Sequence, residues 1–374
     1  MKILITNADL DIYAGTQVVV RDLALRWHRQ GHKPMAYSRR LGEVAAELKR
    51  HGIEVTNDLA RLSCAPDVIH GQHHPLVIEA LLRFPSVPAI LVCHAARGFS
   101  EAPVYFPRIL GYIGIDERCR RRLESVPEIP KHRIDVILNA VDLERFRPRG
   151  PLPATPKRAA VFSNNASRFT HLPAVRQACR QMGIELEVVG RQRGRPLPNP
   201  EAFLPQYDLV FAKARCALEA MAVGSAVVLC DVSGAGSLVT TANFDVLRPM
   251  NFGAGVMLKP VEAEYLRAEI ERYDANDAAA VSRKVRREAD LEEISPRWIK
   301  LYTGVVKEFR EAKSDFSEES AFAAAYFEKW RREKNIEWAK SQFRKLRSIP
   351  VIGADLHHLG RRIVRSWTKD FELG

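Results

Sequence analysis

One carboxylate, Glu219, stands among small residues in the stretch DLVFAKARCALEAMAVGSAVVLCD, Asp208 to Asp231, with two cations just before it. DLVFA reads as a buried strand, and after a short turn a helix begins near Arg215 or Cys216. Free backbone N–H groups and the positive end of the helix dipole then lie at the sheet's carboxyl edge. That is a place for a phosphate. Lys213 and Arg215 occupy the same turn and suit a pyrophosphate or an acidic sugar, although a solvated turn lysine is the plainer reading of Lys213. Glu219, in the helix's first turn, can accept hydrogen bonds from two neighbouring hydroxyls of one ribose. Alternatively it only complements the dipole, an effect of about 0.3–1 kcal/mol.

The elements that must position these residues are α/β. MKILITNA reads as a strand, a polar loop runs to Gly15, and TQVVVRDLALRWHRQG has helical spacing ending at Gly31, a natural C-cap. KPMAYS, GEVAAELKRHG, DVIHGQ, PLVIEALLRF and PAILVCH continue the strand–helix alternation of a parallel, doubly wound sheet, and GYIGID and RIDVILNAV add strands. Prolines and a glycine interrupt periodicity in RPRGPLPATPKR, residues 147–158, which we read as a linker. Beyond it AAVFSNN, LPAVRQACRQMG, LEVVG, DLVFA, CALEAMAVG, AVVLCD and FDVLR form a second unit of similar build. The expected fold is therefore α/β, two Rossmann-like lobes facing a cleft with a helical C-terminal extension. We divide it into 1–150, the first lobe, 151–312, the second lobe, and 313–374, a basic amphipathic helical tail.

The chain has 374 residues, more than one compact core usually serves, which agrees with two lobes. Its net charge of +12 points to an anionic partner without choosing among nucleotide phosphates, acidic lipid and nucleic acid. Nucleic acid is not expected, because the arginines are scattered and no recognised motif organises them. Six scattered cysteines without a CxxC pair favour a reducing cytoplasm. The N-terminal strand has no signal-peptide layout and no apolar run reaches the roughly 18 residues that span a bilayer, so any membrane contact is expected to be peripheral, on the inner face.

In order, AGTQVVVRDLALRWHRQGH, DVIHGQHH, VCHAARGF, VILNAVDLERFRP and ALEAMAVGSAVVLCDVSG resemble the landmarks of GT-B glycosyltransferases, specifically the retaining family-4-like (group 1) enzymes, over about residues 1 to 310. The resemblance implies retaining transfer of a sugar from a nucleotide-sugar donor to an acceptor hydroxyl in the interlobe cleft, with residues 1–150 on the acceptor side and 151–312 on the donor side, and with no metal or other cofactor. It makes Glu219 the ribose ligand and puts Gly15 where backbone approaches the donor phosphates, because a side chain would block that approach. His94 matches a histidine near the donor sugar, able to hydrogen-bond a sugar hydroxyl or a backbone carbonyl. Arg168 is the candidate phosphate arginine, and Arg191 and Arg193 of VVGRQRGRP lie where the family meets the base or phosphate. Cys216 joins Arg215 on the donor side, and His94, Lys213 and Glu219 are expected around the reacting sugar. His70 and His73 of HGQHH are expected to line the acceptor pocket, since no further ligand cluster or HExxH spacing supports a metal.

One departure stands out. The glutamate expected eight positions before Glu219 is Phe211, inside a strand, and the strand–helix loop is shortened. Asn139 and Asp142 match positions that shape the crossing into the linker, through side-chain bonds to local backbone. No side chain offers itself as a nucleophile, so the protein's part is positioning and stabilising the leaving diphosphate. A UDP- or GDP-sugar and a growing cell-surface glycan follow from the resemblance, and Arg118, Arg120, Arg121 and Arg122 would tolerate an anionic lipid-linked acceptor. The other readings are a GT-B-like protein that binds a nucleotide or glycan without turnover, and a sugar-nucleotide epimerase. In the tail, Ile336, Ala339, Phe343 and Leu346, then Ile352, Leu356, Leu359 and Ile363, fall at helical spacing among basic residues. Two helices broken near Pro350 and Gly353 are expected, packed on the body or on another subunit as a homo-oligomer contact rather than on a membrane, because the stripes are narrow.

Overall fold

The computed structural model describes the backbone of residues 1–190, 199–311 and 316–347. Met1–Lys313 form one compact unit and the residues after them another.

The first unit contains two sheets. Seven strands, β1 (Lys2–Thr6), β2 (Lys33–Tyr37), β3 (Glu54–Thr56), β4 (Val68–Gln72), β5 (Ala89–Cys93), β6 (Ile109–Gly114) and β7 (Ile134–Val136), run in the order β3-β2-β1-β4-β5-β6-β7. Every neighbouring pair is parallel. Helices α1 (Gly15–Arg29), α2 (Glu43–Arg50), α3 (His74–Arg83) and α4 (Glu117–Glu124) connect them. The central strands are apolar on both faces, as helices on both sides require. The switch from β1 to β4 brings the loops after β1, β4 and β5 together at one carboxyl edge.

The second sheet holds β8 (Arg158–Phe162), β9 (Glu185–Val189), β10 (Leu209–Ala212), β11 (Ala226–Asp231) and β12 (Gly234–Leu238), in the order β9-β8-β10-β11-β12. The first three pairings are parallel and β12 is antiparallel to β11. Helices α5 (Leu172–Gln181), α6 (Ala214–Val223), α7 (Ala263–Glu271) and α8 (Ala275–Glu288) cover it. The two lobes expected from the alternation are present.

FDVLR does not add a strand. Phe244–Leu247 is a helical turn, and the sheet's edge is Gly234–Leu238, a small-residue segment with little strand signal of its own. Pairing with buried β11 overrides that weak propensity. Gly234 is needed there, because its φ is +143° and a Cβ would lie 2.5 Å from the Met257 carbonyl oxygen.

The small residues around Glu219 now have a reason. From Ala217 to Val223 every residue of α6 is buried, so this helix has no solvent face and lies between the sheet and α8. Alanines keep those approaches close. Gly224 ends the helix in the left-handed conformation, φ +98°.

A last helix, α9 (Leu291–Glu311), inserts Trp298, Tyr302 and Val305 into the core around Trp27 and Ile3 of the first sheet. Residues 291–311, counted with the second lobe from sequence, thus pack on the first. The chain crosses back where it first crossed: Val141 N–H donates to Ala289 O at 2.8 Å, and Leu291 N–H donates to Val141 O at 3.0 Å. Between the crossings Arg149 fastens the linker to the second lobe, its guanidinium meeting Tyr207 O and Asp208. In the second unit Phe316–Arg347 is one helix, α10. The second expected tail helix, from Ile352 on, lies outside the described residues.

Candidate functional site

At the head of α6, Lys213 is the N-cap, with φ −138° and ψ 162°, and Ala214 has φ +49°. Left-handed backbone at an alanine is unusual and is held here by neighbours. The Ala214 N–H donates to Phe252 O at 2.9 Å, while Asn251 and Phe252 are themselves left-handed. Asn251 in turn ties the lobes. Its Oδ1 accepts from Asn139 N–H at 3.2 Å and from Arg248 at 2.8 Å, and its amide donates to Ile115 O. Asn139 therefore works through its backbone, and Asp142 caps the N–H groups of Glu144 and Arg145.

Because α6 begins at Ala214, Glu219 lies in the second turn, not the first. Complementing the dipole is therefore not its role. Its carboxylate is 4% exposed and accepts from Arg215 Nε at 2.8 Å. The other side of that guanidinium meets Asp22 of α1, on the opposite lobe. Asp22 also receives Arg21 Nε at 2.7 Å and lies 3.5 Å from Arg145. Arg145 reaches on to Glu201 at 2.8 Å. Burial pushes the Asp22 carboxyl up, but Arg21, Arg215 and Arg145 outweigh it and hold the group below its ordinary range. For Glu219 the balance is opposite: burial, only partly offset by Arg215, raises its pKa.

This network floors a pocket between the lobes, lined by Tyr13, Gly15 and Arg21 on one side and by Gly190, Arg215, Cys216 and Glu219 on the other. A Cβ on Gly15 would meet nothing within 4 Å, so the helix start is open to the cleft. A Cβ on Gly190 would lie 1.8 Å from Ser163 O, so only glycine lets these loops approach. Four of the expected donor-side residues, Gly15, Arg215, Cys216 and Glu219, thus converge. Burial pushes the Cys216 thiol up, leaving it a neutral lining group.

Lys213 does not line this pocket but lies beside it, its Nζ 3.3 Å from Asp231 Oδ1. Arg168 is exposed and lies over the ring of its neighbour Phe169 at 4.5 Å; it does not line the pocket. Arg191 and Arg193 lie outside the described residues. Phe211 is fully buried against α5 and its strand neighbours, a core side chain where a carboxylate was expected.

On the first lobe the histidines divide. His94 faces a small interlobe cavity of about 30 Å³ with Asp22, Asn139 and Arg215. Its Nε2 is buried without a partner, and burial lowers its pKa to about 4. His70, expected in an acceptor pocket, is fully buried: Nδ1 lies 2.6 Å from the Tyr302 hydroxyl, and the ring meets Trp27 and Trp298. Both nitrogens of His73 are occupied as well. Nδ1 accepts from Ala8 N–H at 3.2 Å, and Nε2 faces Glu101 at 3.1 Å. Glu101 also accepts from His94 N–H, and His74 donates to Phe99 O at 2.9 Å. His73 and His74 of HGQHH therefore clamp the loop after β5, with His73 at a left-handed φ of +62°. Neither His70 nor His73 has a free nitrogen for an acceptor.

Sequence reasoning missed Arg21, Asp22, Arg145 and Asp231. Arg21 and Asp22 carried a signal: they sit between Val20 and Leu23 on the buried stripe of α1, where charges need partners. Arg145 and Asp231 carried none beyond position.

Among solved structures, the fold is similar to a glycosyltransferase from Rickettsia africae ESF-5, with 14% identity and a TM-score of 0.61, covering 82% of this chain and 98% of that one. It is also similar to HepE of Anabaena in complex with UDP and glucose, at 14% identity and TM-score 0.59, over 81% of this chain and 99% of that one. Sucrose-phosphate synthase of Thermosynechococcus elongatus gives 14% and 0.58 over 82% and 99%. The architecture is that of GT-B glycosyltransferases. No family model and no curated protein matches the sequence.

Proposed function

We propose that the chain is a glycosyltransferase that moves a sugar from a nucleotide-sugar donor to an acceptor hydroxyl. The observation that carries this is the pocket at the two facing carboxyl edges, where Gly15, the head of α6, Arg21, Arg215 and Glu219 combine open backbone, cations and a carboxylate. Such a set suits a nucleoside diphosphate: cations for the phosphates, a carboxylate for ribose. The leaving diphosphate is stabilised by these groups without a metal, His94 stands on the sugar's side of the cleft, and transfer proceeds with retention. Cell-surface glycan synthesis, with a glycan or lipid-linked acceptor, is the setting that fits a chain of net charge +12. Incubation with a panel of UDP- and GDP-sugars tests the proposal. Donor hydrolysis or transfer to an added glycan supports it, and inversion at the anomeric carbon overturns retention.

A second reading, binding without turnover, draws on one observation: Arg215 sits on Glu219, where ribose would sit. Binding of a nucleotide sugar with neither hydrolysis nor transfer would favour it. For the basic tail we propose a homo-oligomer contact in the cytoplasm, with peripheral membrane attachment as the competing role. A chain ending at Lys313 should assemble into fewer copies in ultracentrifugation. An unchanged number of copies together with lost sedimentation on anionic vesicles would assign the tail to the membrane.

A further inference from the structure

The carboxyl edge of the second sheet holds a polar group that the Arg215 network does not use. Ser163 follows β8, Lys213 follows β10 and Asp231 ends β11, so three adjacent strands deliver them to one place. Asp231 is 3% exposed; Oδ2 accepts from Ser163 Oγ at 3.0 Å and Oδ1 faces Lys213 Nζ. Beside them His171, the residue before α5, is 1% exposed, and neither of its ring nitrogens has a hydrogen-bond partner. Burial keeps the ring neutral against the pull of Asp231, and Lys213 adds to that. A buried imidazole with both nitrogens unmet is costly unless something else meets it.

The chemistry narrows what that something is. A carboxylate only accepts, an ammonium only donates, and a neutral imidazole does one of each. A bare anion would be opposed by Asp231 and a cation by Lys213. A hydroxyl, which donates and accepts at once, matches all three. Ser163 also lines the interlobe pocket with Cys216 and Glu219, and the Asp231 and Lys213 charges both act on the Cys216 thiol, so the group adjoins that pocket.

We propose that Asp231, Lys213 and His171 form a subsite for the hydroxyl groups of the donor's sugar and decide which sugar is accepted. This rests on the donor reading of the cleft.

Calorimetric titration with UDP, UDP-glucose, GDP and GDP-mannose separates the two. For whichever sugar nucleotide the wild type binds, Asp231→Asn should weaken binding by about tenfold or more, the loss expected of one charged hydrogen bond, and leave the Kd of the matching bare diphosphate within about twofold. His171→Phe, which keeps the buried volume, should show the same selective loss and decides the matter where Asp231→Asn does not fold. Equal losses for sugar nucleotide and bare diphosphate, or none for either, would overturn the subsite and leave the donor reading intact. A wild type that binds none of the four would overturn both.

Discussion

Among the described residues Glu219 is a carboxylate whose one direct partner is Arg215, and its burial makes the charged form expensive without it. Under the donor reading, a ribose diol competes with or shares that guanidinium. Glu219→Ala should then cut kcat/KM for the donor by about tenfold or more, since a charged hydrogen bond contributes about 1.5–3 kcal/mol. Unchanged kinetics in a folded variant would remove Glu219 from the site. The histidines and Glu101 give a pH dependence. Burial lowers His70 to about 3 and His94 to about 4 from an ordinary 6.5, so below pH 6.5 the unfolded chain takes up protons that the folded chain refuses. Stability is therefore lost as pH falls from 6.5 toward 4, by at most about 1.4 kcal/mol per pH unit for each histidine. Glu101 is pushed down to about 2, where burial, which opposes its charge, is overcome by His73 and His94. Its contribution is complete above its ordinary 4.5 and disappears between 4.5 and 2. Urea midpoints at pH 7.5, 6 and 5 should fall in that order, and less steeply in His70→Phe. A flat series would show that these rings are not buried neutral.

At the scale of elements, α6 combines a strained first residue with an interior that tolerates only small side chains. Ala214→Gly should be neutral or stabilising by up to about 1 kcal/mol, because glycine takes φ +49° without the steric penalty of a Cβ. Ala220→Gly, in the buried middle of the same helix, should cost about 1 kcal/mol or more. Equal destabilisation by both, measured by urea denaturation, would contradict the backbone geometry at Ala214. The strand–helix alternation made both lobes legible, because parallel strands buried on two faces form short apolar runs between amphipathic helices. The edge strand Gly234–Leu238 was not legible: its residues have no periodicity, and only pairing with Val228 and Cys230 makes it a strand. At the site, Gly15, Arg215 and Cys216 at helix starts and Glu219 one turn further on were legible from the family resemblance together with their place after strands. Neither could show that Arg215 would turn to Asp22, nor that His70 and His73 would spend their nitrogens on Tyr302, Ala8 and Glu101. Those partners lie far away in sequence, and only the packing of α9 and the loop after β5 brings them in.

For the molecule as a whole, Asp22 joins the lobes through Arg215 and Arg145, and the pocket it helps to close encloses about 90 Å³. Ligand pockets usually measure about 300–1,000 Å³, so under the donor reading this contact is where the lobes would part to admit a nucleotide sugar. Asp22→Asn should lower stability by about 3–5 kcal/mol, the usual consequence of removing one member of a buried ion pair. It should also raise amide hydrogen exchange in residues 13–22 and 213–219 before the central strands respond. Loss of protection everywhere at once would mean that the pair supports a core rather than a movable contact. The paired crossings at Val141 and Leu291 carry a different consequence. Since the chain leaves the first lobe and returns to it at adjacent hydrogen-bonded residues, the second lobe is in effect a cassette inserted into a single site of the first. Residue 141 joined to residue 290 by a short glycine bridge should leave a first lobe with β1 to β7 and α9 uninterrupted, and the excised segment has termini close enough to be exchanged for another lobe of the same build.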